Sequence, residues 1–182
     1  MDPAEFDRHD FVYSFGQVWK KIMTDPQGFF LAMPLTGGLV NPLVFATLCL
    51  LIAGLGFLVS GSKLGLAVML VGLGIVRLFI GAAFLLLVAR KLFEGRGDFE
   101  ATFRACAYAA APVVLLWVPV VKYLAVLYSA YLLIIGLQRA QGFDSVRAVL
   151  TVVLVMMAGM FLSLPFGGPG RMWRGLRFLS PG

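Results

Sequence analysis

The sequence predicts an all-α, polytopic integral membrane protein: a bundle of about five transmembrane helices with a short N-terminal amphipathic helix. Hydrophobic residues make up 60% of the 182 residues and charged residues only 13%, whereas a soluble domain carries about 25% charged residues. The apolar residues also form runs of roughly 18 or more, the length that crosses a bilayer. A chain of this size is one domain.

Residues 10–23 form the predicted amphipathic helix, because their apolar side chains recur with the period of an α-helix. One face carries Phe11, Phe15, Val18 and Ile22. Trp19 beside Lys20 and Lys21 suits a helix lying in the headgroup layer. The same pattern fits a helix packed on the protein's own membrane face, and both interpretations stay open at this point.

Two Asx-Pro pairs mark the next helix starts, since Asp and Asn are good N-caps and Pro suits the first helical position. Asp25-Pro26 opens a short segment that runs from Gln27 to Met33, and Asn41-Pro42 opens the first crossing. Further on, Gly142 is predicted as a helix C-cap and Asp144 as the following N-cap.

Polar or turn residues divide the apolar sequence into five predicted spans. Pro119 and Lys122 mark the turn between the third and fourth spans, and Pro112 should kink the third. At ~1.5 Å per residue the second span exceeds a ~30 Å hydrocarbon core and must tilt or emerge. The predicted spans lie near 42–60, 64–92, 101–118, 120–137 and 145–164.

Lys and Arg residues predict the orientation, because cytoplasmic loops carry an excess of them. With five spans, nine Lys and Arg residues lie on the same side of the membrane as the N-terminus and five lie on the other side. Arg77 lies within the second span. Residues 1–41 are therefore predicted as a cytoplasmic segment with an interfacial helix. Residues 42–165 form the transmembrane domain, and residues 166–182 form a basic, aromatic tail. This pattern predicts a multi-pass membrane protein with its N-terminus inside.

The distribution of acidic residues excludes several function classes. None lies between Asp25 and Glu94, between Glu100 and Asp144, or after Asp144. Proton relays and cation pathways usually need a carboxylate in the membrane, and general acid–base catalysis has few candidates with a single His. We therefore expect no catalytic residue, no metal site, no cofactor and no nucleic-acid partner.

Arg77 is the first candidate for a functional or structural role, since an Arg near the centre of a span costs roughly 2.5–3.5 kcal/mol on insertion scales. Gly74 and Gly81 share its helix face, so we expect it to point into the bundle. It could bind an anionic group, such as a phospholipid head or a carboxylate. Alternatively, backbone carbonyls near the Pro112 kink and tyrosine hydroxyls could hold it. The tyrosines concerned are Tyr108, Tyr128 and Tyr131.

A series of motifs around the spans resembles the Ypt-interacting-protein (Yip) domain family, and its bacterial branch in particular. The resemblance covers residues 18–164. It rests on six short motifs in a fixed order, listed here by their residues: Val18-Trp19, Thr24 to Phe30, Gly97 to Arg104, Ala107 to Pro112, Ile135 to Leu137 and Ser145 to Ala148.

The resemblance implies a five-helix domain of the cell inner membrane with a cytoplasmic N-terminus. The family has no established enzymatic activity to transfer. Eukaryotic members bind Rab-type GTPases, but this chain lacks their long cytoplasmic N-terminal region, so that role is not transferred. Tyr108 and Pro112 map onto a recurrent pattern of the family: Pro112 is interpreted as a kink and Tyr108 as a neighbour of the second loop.

We therefore predict a non-enzymatic protein that organises protein partners or lipids in the bilayer. Its expected partners are membrane lipids and either a membrane protein or further copies of this chain. The alternative prediction is a small transporter or lipid-handling protein that uses Arg77 in a polar cavity.

Overall fold

The computed structural model describes Phe6 and residues 11–163, and over this range the chain is helical and without strands. The all-α class predicted from the sequence is confirmed. Seven α-helices and one 3-10 helix follow one another in the described residues. Their bounds are α1 Phe11–Thr24, α2 Pro26–Ala32, α3 Val40–Val59, α4 Leu64–Phe93, α5 Phe99–Ala109, the 3-10 helix Ala111–Leu115, α6 Val121–Gln141 and α7 Ser145–Ser163.

The caps predicted at Asp25, Gly142 and Asp144 lie where the sequence placed them. The Asp25 side chain accepts a hydrogen bond of 3.0 Å from the Gly28 amide, with Pro26 at the first helical position. Gly142 ends α6 with a φ of +69°, which favours glycine. The Asp144 carboxylate accepts from the Arg147 amide at 3.4 Å. These local signals fix where α2 and α7 begin and where α6 ends.

Asn41 was predicted to cap α3, but the helix already begins at Val40 after Leu39 and no side chain caps it. Pro42 is tolerated in this first turn, where its missing amide hydrogen leaves no bond unmade.

Helix α5 occupies the centre of the bundle and packs against α3, α4 and α6. Helices α3 and α4 form a hairpin in which Gly74 brings the backbone of α4 close to the Leu50 side chain. Helix α7 packs against α4 and α6, while α2 packs against α6. The short central helix thus receives contacts from most of the elements that surround it.

The apolar face of α1 is covered by the protein itself. Val18 and Ile22 are fully buried, and the indole Nε1 of Trp19 donates to the Ala111 carbonyl at 3.0 Å. The Tyr128 hydroxyl donates to the Met23 carbonyl at 3.1 Å. Of the two interpretations of this helix, packing on the protein's own surface is the one observed.

The third predicted span, 101–118, is not one kinked helix. Helix α5 ends at Ala109, the 3-10 helix follows, and the chain turns before α6. Pro112 is the physical reason, because its ring clashes with the carbonyl four residues earlier and it has no amide hydrogen to donate. The 3-10 helix is compatible with a proline near its start.

Three helices of the described residues are long and apolar enough to cross a bilayer: Val40–Val59, Ala67–Phe93 and Val121–Gln141. They correspond to the first, second and fourth predicted spans. A shorter apolar helical stretch, Ser145–Gly159, corresponds to the fifth. The predicted tail, 166–182, lies outside the described residues.

Candidate functional site

A polar cluster surrounds the start of α5. The Asp98 side chain caps the helix by accepting from the Ala101 amide at 2.8 Å. The Thr102 hydroxyl donates to the Asp98 carbonyl at 2.7 Å and accepts from Nε2 of Gln141 at 2.7 Å. Oε1 of Gln141 accepts from the Gly97 amide at 3.0 Å. The last residue of α6 therefore connects to both sides of the α5 N-cap.

The end of α4 joins the same cluster. Arg90 donates from Nε and Nη2 to the Gly97 carbonyl at 3.2 and 3.0 Å. A Cβ on Gly97 would overlap the Ala140 carbonyl, so only glycine allows this approach of the loop to α6. The helix ends of α4 and α6 and the start of α5 are thus held together.

A second set of contacts holds the loop before α3. The Gly38 amide donates to Oε1 of Glu100 at 2.6 Å, and the Gly38 carbonyl accepts from Nη1 of Arg104 at 2.8 Å. Gly37 and Gly38 have φ values of +124° and +90°, a region that glycine adopts readily. Glu100 and Arg104 lie one turn apart on α5, so together they bind both polar atoms of one loop residue.

These polar contacts hold the helix ends and the loop before α3 in place. The carboxylates of Asp98 and Glu100 accept from backbone amides, and the buried Gln141 and Thr102 side chains bond to each other. In the part of the chain that the structure describes, no group of three or more His, Cys, Asp and Glu could hold a metal ion. Chemically, the cluster can fix helix ends and one loop conformation.

Tyr108 lies at the end of α5 remote from the second loop, in a buried aromatic cluster. Its ring centroid is 5.0 Å from that of Phe29 and 5.2 Å from that of Phe45. Its hydroxyl accepts from the Phe6 amide at 3.3 Å. The expectation that Tyr108 neighbours the second loop is therefore wrong, because the whole length of α5 separates the two.

Arg77 does not have the partners expected for it. Its side chain is exposed and makes no hydrogen bond or ion pair with any residue that the structure describes. Two of the expected tyrosines are engaged elsewhere: Tyr108 with Phe6 and Tyr128 with the end of α1. A Cβ on Gly81 would meet open space, so no helix approaches closely there.

The space beside Arg77 is a cleft, which we call the Arg77 cleft. It consists of two adjoining parts of about 360 and 640 Å³. It lies between the middle of α4, the 3-10 helix and α6, with α3 at one end and α7 at the other. Both parts are lined by Arg77, Leu78, Ala110, Val113, Leu116 and Val126. The lining is mainly apolar, so the polar cavity predicted around Arg77 is corrected to an apolar cleft.

Sequence reasoning did not single out Gly38, Glu100, Arg104 or Gln141. Arg104 is fully buried, and its bond to Gly38 joins residues 66 positions apart. One signal was available: Glu100 and Arg104 have the i, i+4 spacing that places both side chains on one helix face. Nothing local in the sequence identifies Gly38 as the residue they share.

Comparison with known families decides the class of the protein, since a model of the Yip1 domain matches residues 20–165. The chain belongs to the Yip1 domain family. Comparisons with curated proteins and with solved structures gave no significant match. The resemblance seen in the sequence is therefore confirmed, and this Yip1 domain is a membrane protein with several apolar helices.

The motifs that carry the resemblance meet in this Yip1 domain around α5. Trp19 bonds to Ala111, and Phe29 stacks edge-on against Tyr108. A Cβ on Gly136 would lie 3.0 Å from both the Ala105 Cβ and a ring carbon of Phe30. Motifs that are far apart in the sequence thus form one packed unit of α1, α2, α5 and α6.

Proposed function

We propose that this chain is a non-enzymatic, multi-spanning protein of the bacterial inner membrane that organises protein partners or lipids in the bilayer. Family membership and three span-length apolar helices support the membrane assignment. In the proposal the N-terminus is cytoplasmic, because Lys and Arg are in excess on its side. Helix α2 packs on the end of α6 that carries Arg139. This contact supports placing Arg139 on the same side of the membrane as the basic residues of the N-terminal segment.

The observation that carries the proposal is a cleft between α2 and α6, at the end of the bundle held by the polar cluster. The cleft measures about 480 Å³ and has both polar and apolar walls, lined by Gln27, Phe30, Leu31, Ile135, Gln138, Arg139 and Gly142. Leu31 is 67% exposed beside it. A cleft that combines apolar side chains with polar ones at its edge has the composition of a protein contact.

Site-specific photo-crosslinking in intact cells tests this proposal. A photoreactive amino acid replaces Leu31 in one variant and Tyr123 in a control variant, since Tyr123 is also 67% exposed but lies at the opposite end of α6. We expect a discrete protein adduct from position 31 and none from position 123. Equal patterns at both positions, or adducts with lipid alone, would contradict partner docking at the α2–α6 cleft.

The alternative function, a small transporter with Arg77 in a polar cavity, is less well supported because the cleft beside Arg77 has apolar walls. Polar solutes need polar groups along their path. A molecule that combines an anionic group with an apolar chain would suit such a cleft better. Of transport and lipid handling, lipid handling is therefore the alternative that the apolar walls of the cleft favour.

A further inference from the structure

Arg77 lies where a bilayer would surround it. It is the fourteenth residue of the 30-residue helix α4 and falls within the apolar stretch Ala67–Phe93 that is long enough to cross a membrane. Its neighbours Val76 and Ile80 are exposed on the outer face of the same helix. The Arg77 cleft is thus reached sideways from the lipid phase, and a charged group at this depth needs an anionic or polar partner.

The described part of the chain offers Arg77 no carboxylate. Its acidic residues lie at helix ends and in loops, and none lines the cleft: Asp25, Glu94, Asp98, Glu100 and Asp144. The segment after Ser163 contains three Arg residues and no acidic side chain, so like charges would oppose its docking here. A second copy placed symmetrically would bring another arginine. Charge complementarity therefore favours an anion from outside the chain.

The walls of the cleft suit a hydrocarbon chain. Side chains of Leu78, Val113, Leu116 and Val126 line both of its parts. Ser129 also lines the smaller part and can add a hydroxyl donor there. Small-molecule sites typically occupy roughly 300–1,000 Å³ and combine apolar walls with a few polar groups. The Arg77 cleft has this character.

We propose that the Arg77 cleft binds an anionic phospholipid, with the phosphate on the Arg77 guanidinium and one acyl chain between α4, the 3-10 helix and α6. A guanidinium donates two parallel hydrogen bonds to a phosphate. Its long apolar stem lets the charged end reach toward the headgroup layer. This site goes beyond the proposed partner docking and does not depend on the α2–α6 cleft.

Native mass spectrometry of the protein in a mild detergent tests the site. The delipidated protein is offered equal amounts of palmitoyl-oleoyl phosphatidylglycerol, which is anionic, and the matching phosphatidylcholine, which is zwitterionic. We expect the wild type to retain phosphatidylglycerol preferentially. Arg77→Leu should weaken that retention by about tenfold or more, since it removes a charge-assisted interaction. Arg77→Lys should keep part of it.

Filling the cleft provides a second variant that leaves the charge in place. Gly81→Leu puts a side chain into the open space beside Arg77, whereas Gly65→Leu makes the same change on the same helix outside the cleft. We expect Gly81→Leu to lose phosphatidylglycerol and Gly65→Leu to retain it. This pair decides the question even if Arg77→Leu fails to fold.

Three results would overturn the proposal: equal retention of both lipids by the wild type, wild-type retention by Gly81→Leu, or displacement of phosphatidylglycerol by an equal amount of palmitate. The last result would assign the site to a free fatty acid. None of them bears on crosslinking at Leu31, so a failure here is distinguishable from a failure of the proposed partner docking.

Discussion

Arg104 shows how a single residue can serve the fold of a membrane protein that has few polar groups. It is fully buried and donates to the Gly38 carbonyl at 2.8 Å. Glu100, one turn earlier, accepts from the Gly38 amide. A hydrogen bond from a charged group contributes about 1.5–3 kcal/mol, so this bond helps to hold the loop before α3.

Replacing this arginine tests its role. Arg104→Met should lower the free energy of unfolding by about 2 kcal/mol or more, because the loop before α3 loses a hydrogen bond from a charged, buried side chain. Arg139→Met changes an exposed arginine on α6 and should stay within about 0.5 kcal/mol of the wild type. Thermal unfolding in one detergent measures both. Equal stability of the two variants would show that the Arg104 bond is dispensable.

Residue patterns predicted the caps but not the partners of buried polar groups. Asp25, Gly142 and Asp144 act within a few residues of their own positions, so the sequence indicates them. For Arg77 the sequence left anion binding and bonds to carbonyls and tyrosines open. Bonds to Tyr108 and Tyr128 do not form, because such pairings depend on where whole helices lie. Arg104 was missed for the same reason, since its partner is remote in the sequence.

Local signals predicted the starts of α2 and α7 and the end of α6, but not the start of α3. The third span shows a further limit. The apolar run from 101 to 118 has the length of a crossing, yet α5 has only 11 residues. Length and hydropathy cannot tell whether Pro112 bends a helix or ends it. That outcome depends on the packing of the 3-10 helix against α3 and α6.

Close packing of α6 on α5 and α2 leads to a prediction for one glycine. Gly136→Leu should destabilise the fold by about 1–3 kcal/mol, because overpacking displaces neighbours in a close-packed core and a Cβ here already touches Ala105 and Phe30. Gly159→Leu on α7 is the matched control, since a Cβ there meets nothing within 4 Å. Thermal unfolding in detergent compares the two. A tolerated leucine at position 136 would contradict the close contact.

Across the whole molecule, polar contacts concentrate at one end of the bundle. That end holds Arg90, Asp98 and Gln141, together with the cleft beside α2. The opposite end carries the turn at Gly61 between α3 and α4 and the start of α6 near Lys122. In the proposed orientation the polar end faces the cytoplasm.

Cysteine labelling of intact cells tests this orientation. In a background without Cys49 and Cys106, Ser62→Cys at the α3–α4 turn should react with a membrane-impermeant maleimide, because the turn is predicted outside. Arg96→Cys in the loop before α5 should react only after the cells are permeabilised. The reverse pattern would place the N-terminus outside, and labelling of both positions in intact cells would contradict a crossing by α4.

The bonds around α5 have a consequence for how the protein is made. The Gly97 amide can bond to Gln141 only after a further 44 residues have been synthesised. Trp19 can bond to the Ala111 carbonyl only after a further 92 residues. Individual helices can enter a bilayer before they associate with one another. During synthesis the start of α5 therefore lacks its bonds to Gln141 until α6 has been inserted. A ribosome that stalls before residue 141 would release a chain whose helices are in the membrane but whose central helix lacks its packing against the complete α6, and we expect membrane quality-control proteases to degrade it.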